Sequence, residues 1–156
     1  MKIIIFASSI QDVCLFVYDY PYNEIIHVKY KDVSKNYKLI SPYCEVRPDS
    51  LYGVSKAFGE NLGRFYYENY NIKVACLRIG SVIKDNNPRV KNSNRFFSTW
   101  CSHDDIAGLI DACIKSNNIK YDIFYGVSDN DWKIWDITNI ERILSFKPTS
   151  NSETYR

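Results

Sequence analysis

The 156-residue chain lacks any long apolar run, any block of like charge and any closely spaced cysteine pair. No stretch approaches the roughly 20 consecutive apolar residues that a membrane-spanning helix needs, so no membrane association is expected. The start, through Ile3 to Ser9, resembles a signal peptide only in outline, because its apolar run is too short and Asp12 follows it closely. Lysine and arginine number 20 against 18 aspartates and glutamates, a net charge of +2. That balance gives no electrostatic reason for binding nucleic acid or an anionic membrane surface. The five cysteines, Cys14, Cys44, Cys76, Cys101 and Cys113, are odd in number and form no Cys-x-x-Cys. A disulfide framework and a zinc site are thereby disfavoured, and reduced, mostly buried thiols in a cytoplasmic protein are expected. None of the six glycines belongs to a glycine-rich turn between a first strand and a first helix, the device that cradles a pyrophosphate at a helix N-terminus. What is present is a globular composition, 46% apolar and 24% charged, in a chain long enough for one domain with a true core.

Ile3 to Ala7 is a continuous β-branched run and reads as a strand buried on both faces, as in a parallel sheet. Residues from Gln11 to Asp49 are irregular and hold Pro21, Pro42 and Pro48. That is long for a loop inside a compact domain, and a small hairpin around Ile25 to Tyr30 is expected within it. Helix signals begin near Ser50. Val54, Phe58, Leu62, Phe65 and Tyr66 share one face at 3.6-residue spacing, and Asn69 and Asn71 stop the helix near Tyr70. Lys73 to Leu77 is a second buried strand, and Ile83 to Phe97 a polar loop. Ser102 with Asp105 forms a capping box before Ile106, Leu109 and Ile110, on a helix ending near Ser116. Asp122 to Tyr125 is a third short strand, Trp135 to Leu144 a last helix, and the tail after Pro148 is expected to fray. Strands alternating with helices give an α/β class with a parallel sheet. Three strands are few for such a sheet, so it is expected to be incomplete. The first strand leaves an open sheet edge, either a liability or a docking surface.

The chemistry centres on Tyr52-Gly-Val-Ser-Lys56. Residues four apart on a helix lie on one face. An ammonium close to a phenol favours phenolate and makes the tyrosine a usable proton acceptor near neutral pH, and the Ser9 hydroxyl is placed to hold a substrate oxygen beside it. A Tyr-x-x-x-Lys pair alone is common on solvated helix faces. Its context is more particular: a Ser-Ser strand end precedes it, and a buried strand ending in Leu77-Arg78-Ile79-Gly80-Ser81 follows it.

Phe6-Ala-Ser-Ser9 and Arg47-Pro-Asp-Ser-Leu-Tyr-Gly-Val-Ser-Lys-Ala-Phe-Gly-Glu60 resemble the catalytic strand and helix of the extended short-chain dehydrogenase/reductases, the NAD-dependent epimerase/dehydratase family. Leu77 to Ser81, Arg95-Phe-Phe-Ser-Thr-Trp100, Ser102-His-Asp-Asp105, Tyr125-Gly-Val-Ser-Asp-Asn130, Trp132 and Trp135-Asp136 are similar to the uronate dehydrogenases within that family. The resemblance implies the C-terminal, catalytic-motif portion of a Rossmann-like domain over residues 1–148, with an irregular insertion at about 11–49, a tail at 149–156 and the nucleotide-binding first half missing. It implies an NAD-dependent oxidoreductase (NADP left open) that oxidises a uronic acid or related sugar. Tyr52 would be the general base, Lys56 would hold the nicotinamide ribose, and Ser9 would orient the reacting oxygen. Ile79 and Gly80 would lie beside the nicotinamide, with Ser81 and Arg95 facing substrate. Arginine suits a carboxylate because its guanidinium forks onto both oxygens. Two departures stand out: Ile10 occupies a position where the family has asparagine, and the segment from Ser9 to Tyr52 is longer than the family's loop. A homodimer through the catalytic helix, or pairing with a separate N-terminal half, is implied in the same way.

Other residues have plainer readings. Capping by Ser102 and acidic charge at a helix N-terminus account for His103, Asp104 and Asp105 better than a metal site does. His27 reads as exposed. Trp100, Trp132 and Trp135 form either a sugar-stacking platform or, more simply, packing. A second functional reading is a catalytically inactive remnant of a sugar-nucleotide epimerase or dehydratase, acting only as a partner or not at all.

Overall fold

The computed structural model describes residues 3–91 and 93–156. Three strands, β1 (Ile3–Ser9), β2 (Lys73–Ile79) and β3 (Tyr121–Gly126), form one parallel sheet in the order β1-β2-β3. The helices are α1 (Tyr22–Ile26), α2 (Leu51–Tyr70), α3 (Phe96–Thr99), α4 (His103–Lys115) and α5 (Thr138–Leu144), with short 3-10 turns between them. The expected α/β class with a parallel sheet and flanking helices is what the chain adopts.

Register explains why the candidate residues meet. Ser9 pairs with Ile79, and Ile79 pairs with Gly126. The C-terminal ends of all three strands therefore lie side by side. β2 is the central strand, and Val74 to Leu77 are fully buried. β1 is not covered on both faces as its apolar run suggested. It is an outer strand, and Ile4 is 42% exposed.

α2 begins where Ser50 accepts a hydrogen bond from the Gly53 amide and ends where Asn71 turns left-handed at φ 52°. Its buried face is Gly53, Ala57 and Glu60, not the larger residues. Val54, Phe58, Leu62, Phe65 and Tyr66 share one face, as their spacing predicts, but that face points away from the sheet and is exposed, the reverse of an ordinary amphipathic helix. Close approach explains the reversal. A β-carbon on Gly59 would fall 2.3 Å from the Phe6 ring, and one on Gly63 would fall 2.9 Å from Val74. Only small residues let the helix lie that near the strands.

The long segment before α2 folds as 3-10 turns around α1, where a hairpin was expected. Ile25 and Ile26 of α1 reach the main core with Val13, Val17, Ile40 and Trp135. The loop thus supplies part of the core. The last helix starts at Thr138, later than expected, because Trp135 lies in an extended bridge to Ile40. The tail is packed where fraying was expected. The amides of Thr149 and Ser150 donate to Asp105, and buried Ser152 donates to the Phe97 carbonyl. Trp100 and Trp135 are buried, and Trp132 stacks on Tyr30 at 4.1 Å. All three tryptophans thus serve packing. Among the described residues, no helix is long and apolar enough to cross a membrane.

Candidate active site

Ligands of parallel α/β sheets bind beyond the carboxyl ends of the strands, where loops diverge and backbone groups are free. The candidate residues collect at that edge. Ser9 is the last residue of β1, and its Oγ accepts the Gln11 amide at 3.3 Å, capping the 3-10 turn Ile10–Asp12. The Gln11 carbonyl then presses on the start of α2, within 2.4 Å of where a Gly53 β-carbon would sit. The turn after Ser9 and the residue after Tyr52 are therefore in direct contact.

Tyr52 is half-exposed in the first turn of α2. Lys56, one turn on, donates to the Ala7 carbonyl at 2.7 Å, and its Nζ lies 5.2 Å from the centre of the Tyr52 ring. The lysine thus ties α2 to the end of β1 while keeping its charge beside the phenol.

Gly80 follows β2, and its amide donates to Gly126 at 3.0 Å. A β-carbon there would meet the Thr99 carbonyl at 2.4 Å, so glycine is required for this approach. Ser81 forms an isolated parallel bridge with Trp100, and its hydroxyl is 2.8 Å from that of Thr99. The Thr99 hydroxyl in turn reaches the Arg95 carbonyl. Arg95, just before α3, turns its guanidinium onto the Cys14 sulfur at 2.8 Å. Burial pushes the Cys14 thiol up to about 11, against the opposing charge of Arg95 and with a small addition from Asp49. Cys14 is therefore a neutral hydrogen-bonding neighbour of Arg95.

Sequence reasoning overlooked the layer beneath. Arg78, fully buried in β2, donates to Glu60 through Nε at 3.0 Å and Nη2 at 2.8 Å. Glu60 also accepts from Ser8 at 2.6 Å. Burial by itself raises the Glu60 carboxyl, but the hydrogen bonds and charge of Arg78 outweigh it and hold it below its ordinary value. Arg78 further contacts the Pro42 carbonyl and the Tyr125 hydroxyl. The signal was present in the sequence, since an arginine inside an apolar strand demands a buried partner. The His103–Asp105 cluster is structural. Ser102 accepts the Asp105 amide, and Asp105 accepts from Ser128 at 2.5 Å.

No family model matches the chain. It is 39% identical over 117 residues to a uronate dehydrogenase of Agrobacterium fabrum, an alignment covering 75% of this chain and 42% of that protein. It is also 39% identical over 109 residues to an NAD-dependent glucose-6-phosphate dehydrogenase of Haloferax volcanii, covering 70% of this chain and 40% of that one. A crystal structure of a uronate dehydrogenase mutant from Agrobacterium tumefaciens, complexed with NAD, superposes on 99% of this chain with TM-score 0.75 and 33% identity. The chain is similar in sequence to uronate dehydrogenases and shares their fold over its length. It spans about half the length of the relatives it matches, 49% in that crystal structure. A dTDP-glucose 4,6-dehydratase at 15% identity has TM-score 0.63 and shows the shared fold. The three-stranded sheet is accordingly part of a Rossmann-like sheet.

Proposed function

We propose that this chain supplies the catalytic end of an NAD-dependent oxidoreductase acting on a uronic acid or related sugar. The observation that carries the reading is the convergence of Ser9, Tyr52, Lys56, Ile79, Gly80, Ser81 and Arg95 at one edge of the parallel sheet, in a chain similar to uronate dehydrogenases. The residues present suit the nicotinamide-ribose end of the cofactor. Lys56 is anchored beside Tyr52, and the backbone at Gly80 is bare because a side chain there would collide with Thr99. When bound, NAD⁺ is the hydride acceptor. Tyr52 takes the proton from the C1 hydroxyl as C1 gives up its hydride, so the sugar loses two electrons and two hydrogens and becomes the aldaric acid lactone. Lys56, held beside Tyr52 by the Ala7 carbonyl, would hold the ribose. Ser9 donates a hydrogen bond to the reacting oxygen, and Ser81 faces substrate. Arg95 leaves Cys14 to fork onto the sugar carboxylate.

A second copy of the chain is the proposed partner. Leu51, Val54, Phe58, Leu62, Phe65, Tyr66 and Tyr70 form an exposed apolar stripe along α2, a helix about 30 Å long at ~1.5 Å per residue. Such a continuous stripe marks an interaction surface.

A competing reading, a binding remnant without catalysis, is favoured by one observation: none of the six glycines lies in a phosphate-cradling turn. NADH fluorescence titration of the chain, with Lys56→Ala beside it, separates the two. Saturable micromolar binding lost in the variant is expected. A folded chain that shows no binding up to millimolar NADH would refute stand-alone oxidoreductase activity.

A further inference from the structure

The turn behind Ser9 buries an aspartate that the chemistry above does not use. Asp12 is fully buried between β2 and α2. Arg78 Nε lies 2.7 Å from Asp12 Oδ2 and 3.0 Å from Glu60 Oε1. Nε carries a single hydrogen, and the hydrogen-bond geometry directs it to Glu60. Nη2 donates to Glu60 Oε2, and Nη1 to the Pro42 carbonyl and the Tyr125 hydroxyl. Among the described residues, no donor meets either oxygen of Asp12 at hydrogen-bonding geometry. Two ionised carboxylates against one guanidinium would leave a net negative charge inside the protein, which is costly. One proton between the two carboxyls makes the cluster neutral. Glu60, with three donors already, keeps the charge, and Asp12 carries the proton.

The backbone of the same turn is a junction. The Gln11 amide donates to Ser9 Oγ, Arg47 to the Asp12 carbonyl at 3.0 Å, and Asp49 to the Gln11 carbonyl at 3.3 Å. The end of β1, the approach to α2 and the first turn of α2 thus all hang on residues 10–12. We propose that Asp12 is a positioning residue: as the neutral acid, sharing its proton with Glu60 above Arg78, it pins the turn that joins Ser9 to the start of α2, and its ionisation loosens that turn. The consequence for catalysis rests on the role given to Ser9 above. The pinning itself does not.

The surroundings agree with this assignment. Burial, opposed by Arg78 and reinforced by Glu60, pushes the Asp12 carboxyl up to about 8. Besides Glu60 on α2 and Arg78 on β2, the titratable groups near it are Tyr125 on β3, Cys76 on β2 and Cys44 before α2. Burial raises all three, Cys76 to about 12, so Asp12 is the group that changes charge in the neutral to mildly alkaline range. A cleft of about 530 Å³ between α2, β2, β3 and residues 42–46 has Glu60 and Arg78 in its wall, which gives protons a route to the cluster.

The test is an NMR pH titration of the full chain labelled with ¹³C at aspartate carboxyls, with Asp12→Asn for assignment. One aspartate resonance is expected to titrate at about 8 and to be missing from Asp12→Asn. Hydrogen-exchange protection of the Gln11, Arg47 and Asp49 amides, corrected for the intrinsic rise with pH, should fall across the same midpoint in wild type and stay level in Asp12→Asn. Aspartates that all titrate below about 5, or protection that follows one course in both proteins, would overturn the proposal. Should Asp12→Asn not fold, Glu60→Gln serves instead. Asp12 then becomes the sole counter-ion of Arg78, and its midpoint should drop by about one pH unit or more; an unmoved midpoint rules out the shared proton. None of these readouts needs cofactor or substrate, so they succeed or fail separately from the oxidoreductase reading.

Discussion

Replacing Arg78 by methionine removes the only positive charge of the buried cluster while nearly keeping its length. Glu60 would lose the donors at 3.0 and 2.8 Å and keep Ser8 at 2.6 Å. Both carboxyls are at least 97% buried, since Glu60 is 3% and Asp12 0% exposed, so water cannot replace the guanidinium. Removing one partner of a buried ion pair costs about 3–5 kcal/mol, mostly from the charge left uncompensated. In a domain of this size that lowers Tm by about 6–20 °C, at ~2–4 °C per kcal/mol. The loss should depend on pH with a definite sign. Arg78 holds the Glu60 carboxyl below its ordinary 4.5 against the opposing effect of burial. The stability it contributes is present above that value and is lost as pH falls through the lower folded-state value. The difference between wild type and Arg78→Met should therefore be largest at neutral pH and shrink below about 4.5. Urea unfolding followed by tryptophan fluorescence at pH 7 and pH 4 measures both quantities. Adding Glu60→Gln to Arg78→Met should recover part of the loss, because it removes the stranded charge. A loss under about 1 kcal/mol at pH 7, a loss independent of pH, or full additivity in the double variant would refute the reasoning.

Three other outcomes follow from the packing. Gly53→Ala should destabilise the chain by about 1–3 kcal/mol, since its β-carbon would meet the Gln11 backbone at 2.4 Å, whereas Gly59→Ala meets only the swinging tip of Phe6 and should cost less in the same urea assay. Under native conditions at pH 8 a thiol-specific disulfide reagent should modify Cys44 first, because it is half-buried, while Cys14, Cys76, Cys101 and Cys113 are buried and burial raises them to about 11 or 12; early reaction at any of those four would contradict the packing. Phe58→Glu, at a position 68% exposed in the centre of the α2 stripe, should shift sedimentation from dimer to monomer without lowering Tm, and an unchanged sedimentation coefficient would remove α2 as the self-association surface.

Much of the architecture was legible in order and type. The three strands, α2 and α4 lie within a few residues of where periodicity and capping put them, because Ser50 and Ser102 cap through local contacts that the sequence specifies by itself. The segment from Gln11 to Asp49 was not legible. Its short turns gain stability from Ile25, Ile26 and Ile40 meeting residues as distant as Trp135, and such contacts leave no local period. The last helix begins at Thr138, three residues after the spacing suggests, for the same reason: Trp135 pairs with Ile40 across the fold. Of the candidate site, Tyr52 and Lys56 announced themselves by spacing. Ser9, Ser81 and Arg95 carried no signal apart from the motifs around them, since what gathers them is the register of Ser9 with Ile79 and the Ser81–Trp100 bridge.

The sequence by itself determined the alternation of strands and helices, the caps of the long helices, the Tyr-x-x-x-Lys pair on one helix face and the absence of a glycine-rich phosphate turn. These depend on neighbours within a few residues. Only the tertiary structure decided which face of α2 turns inward. Periodicity separates an apolar face from its opposite, but the closeness of Phe6 and Val74 selects the side bearing glycine and alanine, leaving Phe58 and Leu62 outside. It also decided that Asp12, Glu60 and Arg78, 48 and 18 positions apart along the chain, share one buried site. Their partnership follows from desolvation: once the fold takes an arginine out of water, its charge must be answered by whichever carboxyls the fold brings within reach.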